Sequence, residues 1–246
     1  MTLAVLVGNT NTRFAWFRGR KLVSSRSVKT GRLLSRPDRL VGTRAGTHGI
    51  ALASVVPAAT RPLRAAVQRA FGRKPFVYSA RSRTALAYEY DRRELGADRV
   101  CVAEGIHTRW PGNTICVDFG TATTINVITE DGRFLGGAIL PGQRMMLRAL
   151  HRSTGRLPLV RPGPTRRSIP QDTKSALLAG TRQLLLGGLS RIVDDIEAET
   201  GHAFRVVATG GDATAFRRKL KRIELVDPHL ALRGLFELYR LNSERT

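Results

Sequence analysis

Two cysteines in 246 residues, Cys101 and Cys116, both lie inside apolar stretches without CxxC spacing, so neither a disulfide framework nor a thiolate metal cage is expected. They read as buried, reduced thiols. Histidine is sparse as well: His48, His107, His151, His202 and His229 stand far apart with no ligand-like spacing. No apolar run approaches the ~20 residues of a membrane span, and the opening "MTLAVLV" is too short for an export signal and has no basic flank. A cytoplasmic chain that does not engage membrane is the expectation. The P-loop pattern GxxxxGK[ST] is missing and no GxGxxG follows a strand, which removes the two commonest nucleotide devices. Acid is the scarcest charge. Asp and Glu number 19 against 41 Lys and Arg, a formal charge of +22 that attracts polyanions. The basic residues are dispersed, with no aromatic-interleaved cluster to mark a nucleic-acid groove, so a solvated basic surface is expected and any nucleic-acid contact would be unspecific.

What remains is the composition of a globular chain, 42% hydrophobic and 24% charged, long enough for one large domain or two of about 120 residues. An internal echo favours two. "AVLVGNTNTRFAWF" at 4–17 is an apolar run, a glycine, a Thr/Asn cluster and a returning apolar run, and "ICVDFGTATTINVI" at 115–128 repeats that plan. The copies differ two residues before the glycine, where the second has Asp118 and the first Leu6.

Around these copies the pattern predicts strands over 2–7, 13–17 and 21–28, a doubly buried strand over 49–56, and a helix capped by Thr60 with Leu63, Val67, Ala70 and Phe71 on one face. "PFVYS" reads as a further strand. Val100, Ala103 and Ile106 keep helical spacing, which sets Asp98 and Arg99 at a loop-to-helix junction. Strands restart over 114–118, 124–129 and 133–140, the last two joined by the hairpin signal "EDG". A helix over 172–199 carries Leu177, Leu184, Leu185, Leu189, Ile192 and Ile196 at a 3.6 period, "RVVATGG" reads as a strand entering a glycine turn, and "HLALRGLFELYRLN" as a closing helix. "WPGN" at 110–113 is the expected boundary between halves 1–111 and 112–246, and "RPGPTRRSIP" at 161–170 an exposed loop.

A strand–loop–strand with glycine at the bend leaves backbone N–H groups free to surround an anion such as phosphate; the other reading is a tight hairpin whose Asn and Thr satisfy the turn itself. Duplication and the "ATGG" turn favour a nucleotide. Phosphoryl transfer further requires a base for the accepting hydroxyl and positive charge against the developing negative charge. Asp118, ending a strand beside its loop, suits a cation ligand or a turn cap, and Asp98 beside Arg99 suits a base or an ordinary helix-start acid.

"VGNTNT", "SVVP", "LGADR", "VDFGTATT", "GGAILPG", "TGRLP", "VVATGG" and "RGL" follow one another in an order and spacing that resembles the type III pantothenate kinases over nearly the whole chain. The resemblance implies an α/β fold of the acetate and sugar kinase/Hsc70/actin type, with two ribonuclease-H-like halves, a nucleotide cleft between them, and a homodimer. It implies ATP-dependent phosphorylation of the primary hydroxyl of pantothenate to 4'-phosphopantothenate, the first step of coenzyme A synthesis, with Mg2+ on ATP and a monovalent cation, K+ or NH4+. By the same resemblance Asp98 is the proton acceptor, Gly96, Ala97 and Arg99 line pantothenate with it, and Thr173 reaches the substrate of the neighbouring subunit. Gly8, Asn9, Thr10, Asn11, Thr12 and Thr121 meet ATP, and Asp118 is the monovalent-cation ligand. The substrate tyrosine is Tyr90, with Tyr88 the alternative.

Departures from the family pattern are Leu6 in place of an aspartate that helps place metal and phosphates, Pro170 and Gln171 in place of a glycine and a lysine, and Met146 in place of a serine. Leucine offers no oxygen to Mg2+. Two readings follow: a kinase whose metal is held mainly by ATP and water, or a catalytically inactive paralogue acting as a binding or regulatory protein of the accessory transcription factor kind.

Overall fold

The computed structural model describes residues 1–164 and 169–243. In chain order the elements are β1 (Thr2–Val7), β2 (Asn11–Arg18), β3 (Lys21–Lys29), α1 (Thr30–Ser35), α2 (Pro37–Val41), β4 (Gly49–Ser54), α3 (Pro57–Phe71), β5 (Phe76–Val77), β6 (Ala87–Tyr88) and α4 (Ala97–Arg109). The second copy then brings β7 (Thr114–Phe119), β8 (Ala122–Ile128), β9 (Arg133–Gly136), β10 (Ile139–Pro141), α5 (Gln143–Arg152) and α6 (Thr173–Thr200). Last come β11 (Arg205–Gly210), α7 (Ala213–Arg217), β12 (Ile223–Val226) and α8 (Leu230–Ser243). Two compact units divide the chain: 1–114 with 126–136 and the closing segment from 229, and 115–125 with 137–228.

The first unit is built on a sheet ordered β3-β2-β1-β4-β5, antiparallel across β1 to β3 and parallel from β1 to β5. Strand alternation sorts its side chains by face. Leu3, Val5 and Val7 of β1 join Phe14 and Trp16 of β2 in a core with Leu33, Leu63 and Val67. Each such side chain, once fully buried, contributes about 1.5–3 kcal/mol. On the other face Phe17 stacks on Phe236 of α8 with ring centroids 4.6 Å apart. α8 in turn crosses α4 at close range, since a Cβ at Gly105 would sit 2.6 Å from the Leu230 carbonyl oxygen. That crossing fixes the helix whose first turn carries Asp98 and Arg99.

In the second unit the strands follow the order β12-β11-β7-β8, with β10 antiparallel on β8, and β8 itself runs on into the first unit. The expected strand over 133–140 is two strands. Gly136 and Gly137 hold φ of +126° and +135°, conformations that turn the chain out of the ladder between β9 and β10. α3 starts at Pro57, not at a Thr60 cap: proline fits the first helical position, and Thr60 sits inside the first turn with its hydroxyl on the Val56 carbonyl. α6 starts as expected, with Asp172 accepting from the Ser175 amide at 2.9 Å. Its buried stripe is Leu177, Leu178, Thr181, Leu185, Leu189 and Val193, whereas Leu184, expected on the apolar face, is 68% exposed. Of the loop expected at 161–170, residues 165–168 lie outside the described residues, and Ile169 is exposed. Among the described residues no helix is long and apolar enough to cross a membrane.

Candidate active site

The first loop is a tight turn between β1 and β2. The Gly8 amide donates to the Asn11 carbonyl at 3.1 Å, and a Cβ on Gly8 would press on that oxygen at 3.0 Å. Asn9, Thr10 and Asn11 stand exposed, but Thr12 does not. Its buried hydroxyl lies 3.1 Å from that of Thr30, which donates to the Gly8 carbonyl at 2.6 Å, while the Thr30 amide reaches the Thr10 carbonyl at 3.0 Å. Hydroxyls of the cluster therefore brace the turn from behind and leave its outer edge to Asn9, Thr10 and Asn11. Leu6, two residues back, is 2% exposed and lies in register between Arg13 of β2 and Ala53 of β4.

A metal cage does not fit here. Leu6 offers no oxygen, and among the described residues no three His, Cys, Asp or Glu side chains gather closely enough to hold an ion.

α4 builds the second element of the site. Gly96 is its N-cap, Ala97 its first residue and Asp98 its second, so the Asp98 carboxylate sits in the first turn, where unpaired amides favour negative charge. Asp98 Oδ1 accepts from the Arg99 amide at 2.8 Å, and a Cβ at Gly96 would crowd that oxygen at 2.7 Å. Arg99 is 5% exposed and fixed in several directions. Its Nε donates to Asn126 Oδ1 at 2.8 Å, one terminal nitrogen reaches the Gly136 carbonyl at 3.4 Å, and its plane lies 5.7 Å from the Tyr90 ring and 5.5 Å from that of Phe134. Burial pulls its pKa down from the usual value, opposed by the nearby Tyr90 and Asp98. Asp98, Arg99 and Tyr90 thus form one corner within a single unit.

Sequence reasoning missed the residue that sets the tyrosine segment. Glu104, one face down α4 and 2% exposed, accepts from the Ala85 and Leu86 amides at 3.0 and 3.3 Å and from the Tyr88 hydroxyl at 3.0 Å. Burial raises its pKa, with those three donors working the other way. A buried acid in a helix of a chain so poor in acid was the available signal. The Tyr88 hydroxyl is committed to Glu104, and a cavity of about 690 Å3 beside it is lined by Tyr88, Tyr90, Thr84 and Arg92.

In the second unit Asp118 precedes the other turn, where the Gly120 amide donates to the Ala122 carbonyl at 3.1 Å and Thr121 is exposed. Gly210 of the "ATGG" turn has φ +94°, and a side chain there would collide with both Asp118 Oδ1 and the Phe119 carbonyl. The Gly210 backbone therefore packs directly on these two oxygens, which stand together at the end of β7. Gly142, the N-cap of α5, packs directly on the Gly120 and Thr121 carbonyls, at 2.9 and 2.5 Å from where its Cβ would lie. Thr173 is remote from these loops in sequence. It opens α6 and lines a mostly apolar groove of about 630 Å3 with Met146, Leu150, Leu157, Leu177 and Leu184.

The family model described as type III pantothenate kinase matches residues 2–195. Type III pantothenate kinases of Phenylobacterium zucineum, Moorella thermoacetica and Paramagnetospirillum magneticum are 33%, 35% and 37% identical to the chain, each over at least 99% of it and at least 98% of the relative. Among solved structures, a Campylobacter jejuni protein of the Baf family superposes with a TM-score of 0.64 at 21% identity, covering 98% of both chains. A ROK family glucokinase of Streptomyces griseus does so at 0.53 and 12% identity, over 97% of this chain and 99% of that one. These likenesses establish the fold as that of the acetate and sugar kinase/Hsc70/actin group.

Proposed function

Because the chain belongs to the type III pantothenate kinase family, we propose that it transfers the terminal phosphoryl group of ATP to the primary hydroxyl of pantothenate, giving 4'-phosphopantothenate and ADP at the first step of coenzyme A synthesis. The observation that carries this reading is the corner at the start of α4, where Asp98, held by the Arg99 amide, sits at a helix N-terminus beside a buried, multiply held Arg99. Asp98 takes the hydroxyl proton as the oxygen attacks phosphorus. Gly96, Ala97 and Arg99 line the pantothenate, and the substrate tyrosine is Tyr90, since the Tyr88 hydroxyl is already spent on Glu104. Gly8 through Thr12 and Thr121 meet ATP. Thr12 contributes through the brace behind the turn. Mg2+ enters with ATP, because Leu6 leaves the first loop without a carboxylate to receive it. Asp118 and the Phe119 carbonyl hold the monovalent cation, K+ or NH4+, which supplies positive charge near the nucleotide.

The enzyme works as a homodimer in which α6 meets its counterpart and Thr173 completes the partner's pantothenate site. Support comes from the apolar groove containing Thr173 and from Leu184, 68% exposed on the same helix. Light scattering at micromolar concentration should give the mass of two chains for the wild type and of one for Leu184→Arg; a monomeric wild type sinks the role of Thr173. The charge of +22 is spread over arginines, of which Arg20, Arg69, Arg93, Arg191 and Arg222 face carboxylates on the surface, so we read it as a solvated shell and not a nucleic-acid groove. A coupled assay for ADP release decides the main reading. Release must require pantothenate, and its absence under all cation conditions would leave the inactive-paralogue reading.

A further inference from the structure

Asn126 is the one polar side chain in the buried run 125–128 of β8, and it is 0% exposed. Strand alternation sets it on the same face as Ile128, whose partner on β9 is Phe134, and this is the face that Arg99 of α4 meets. All of these residues belong to the first unit. Chemistry settles which way the amide points. A guanidinium offers five donors and no acceptor, so the atom 2.8 Å from Arg99 Nε must be the Asn126 oxygen, and Nδ2 is the arm left over. Among the described residues that Nδ2 meets no acceptor, and it is closed to solvent.

A buried donor without an acceptor bears the full desolvation of the group, so an amide is an expensive choice at this point of the core. A carboxylate would accept from Arg99 and have no N–H to strand; a leucine would fill the space with no polar atom at all. What the amide does supply is the acceptor for Nε. The other holds on Arg99, the Gly136 carbonyl at 3.4 Å from a terminal nitrogen and the rings of Tyr90 and Phe134, restrain the far end of the side chain and its plane. The Nε bond is shorter and acts where the stem joins the fork, so it decides in which direction the fork opens.

We propose that Asn126 is a positioning residue for the phosphorylation of pantothenate: its Oδ1 turns Arg99 so that the outer nitrogens of the guanidinium face the bound substrate, and the stranded Nδ2 is tolerated for the sake of that orientation. This rests on the reading above of Arg99 as a residue that lines pantothenate. Asn126 touches no reacting atom, so it governs how tightly pantothenate is held and leaves the passage of the hydroxyl proton to Asp98 as it is.

The test compares wild type, Asn126→Leu, Asn126→Val and Asn126→Asp by kinetics against each substrate, by calorimetric titration with pantothenate, and by thermal midpoint. Asn126→Leu removes one unpaired donor, Nδ2, and leaves another, Arg99 Nε, in its place, so the midpoint should stay within about 4 °C of wild type. The dissociation constant and KM for pantothenate should nevertheless rise about tenfold, the effect of misdirecting one charged hydrogen-bonding group, while kcat and the KM for ATP stay within threefold. Asn126→Asp keeps the acceptor and strands nothing, so it should bind pantothenate within threefold of wild type and melt at a higher temperature. A purely structural role would show the opposite pattern, with the midpoint falling and the pantothenate constants unmoved. Asn126→Leu that binds pantothenate within threefold of wild type overturns the proposal, as does Asn126→Asp that binds as weakly as Asn126→Leu; if the leucine variant does not fold, Asn126→Val is judged by the same constant. A wild type that binds pantothenate without phosphorylating it defeats the kinase reading alone, since Asn126 is still judged by the dissociation constants, whereas a wild type that does not bind pantothenate removes both.

Discussion

The two turns share a plan and differ in nearly everything placed on it. Gly8 and Gly120 each donate their amide to a carbonyl of the returning strand at 3.1 Å, Gly8 to Asn11 three residues on and Gly120 to Ala122 two residues on, so both turns are closed by their glycine and the second is the tighter. Behind the first stand the hydroxyls of Thr12 and Thr30 and, beside it, Leu6 and Arg13. Against the second pack bare glycines, Gly210 on Asp118 and the Phe119 carbonyl and Gly142 on the Gly120 and Thr121 carbonyls. The comparison teaches that the shape of an anion-receiving turn and the charge that tunes it are encoded separately: glycine and small polar residues set the first, and one residue on each flanking strand sets the second. Losing the acid from one copy leaves its geometry intact.

If the charge at each site has its own task, removing it should cost catalysis and not the fold, and the largest loss belongs to the proton acceptor. Asp98→Asn is expected to lower kcat on the order of 10²- to 10⁴-fold with thermal midpoint and ATP affinity near those of wild type, because among the described residues its carboxylate accepts from the adjacent Arg99 amide, a bond that the Asn oxygen can keep. A kcat within threefold of wild type would assign the base elsewhere. The second turn should break in the opposite manner, through its backbone. Gly210→Ala places a side chain at φ +94° against Asp118, which costs about 1–3 kcal/mol in strain and displaces the carboxylate. Urea unfolding should show that loss, and activity should stop responding to K+ or NH4+; an unstrained variant with full cation response would contradict the cation site at Asp118. A comparable exchange in the first turn, Gly8→Ala, meets one carbonyl at 3.0 Å and should cost less than Gly210→Ala in the same measurement.

The sequence made the paired turns, the α4 junction and the long α6 legible for a physical reason: glycine, alternation and a 3.6 period act locally. Asp98 and Arg99 could be set at a helix start without knowing what lay around them. Asn126, which anchors Arg99, and Glu104, which anchors the 85–88 segment, are contacts across 27 and 16 to 19 residues; an acid inside the apolar run of α4 marks Glu104 as unusual, but no local pattern names the partners of either. The broken strand after Gly136 was misread because two glycines inside a β-rich run mark either a bend or a weak strand, and only the ladder decides. Leu184 keeps the apolar period of α6 and is nevertheless exposed, because a continuous apolar periodicity does not distinguish the residues covered within one chain from those left for another.

Glu104 supplies the smallest predicted effect on kcat and a scale for Leu6. It is a carboxylate 2% exposed that the first unit tolerates by surrounding it with two amides and a phenol, whereas Leu6 has Arg13 as its cross-strand neighbour. Burial nevertheless wins over those donors, and its pKa lies above the usual 4.5. Above that pH the native state therefore binds more protons than the unfolded chain, so the contribution of Glu104 to stability is complete below the unfolded pKa and is lost as pH rises through the native one. Glu104→Gln removes the titration and turns one amide nitrogen toward a backbone donor, at a cost of about 1–3 kcal/mol where the lost bonds matter most. Urea unfolding of wild type and Glu104→Gln at several pH values from 4 to 7.5 should show the wild-type advantage largest at the acid end and shrinking towards neutrality. In parallel the KM for pantothenate should rise in the variant while kcat changes little, since Glu104 orders the segment leading to Tyr90 and touches no reacting atom. An advantage that widens with pH would mean that the three donors outweigh burial, and a buried acid at position 6, beside Arg13, would then be easier to accommodate than its burial alone implies.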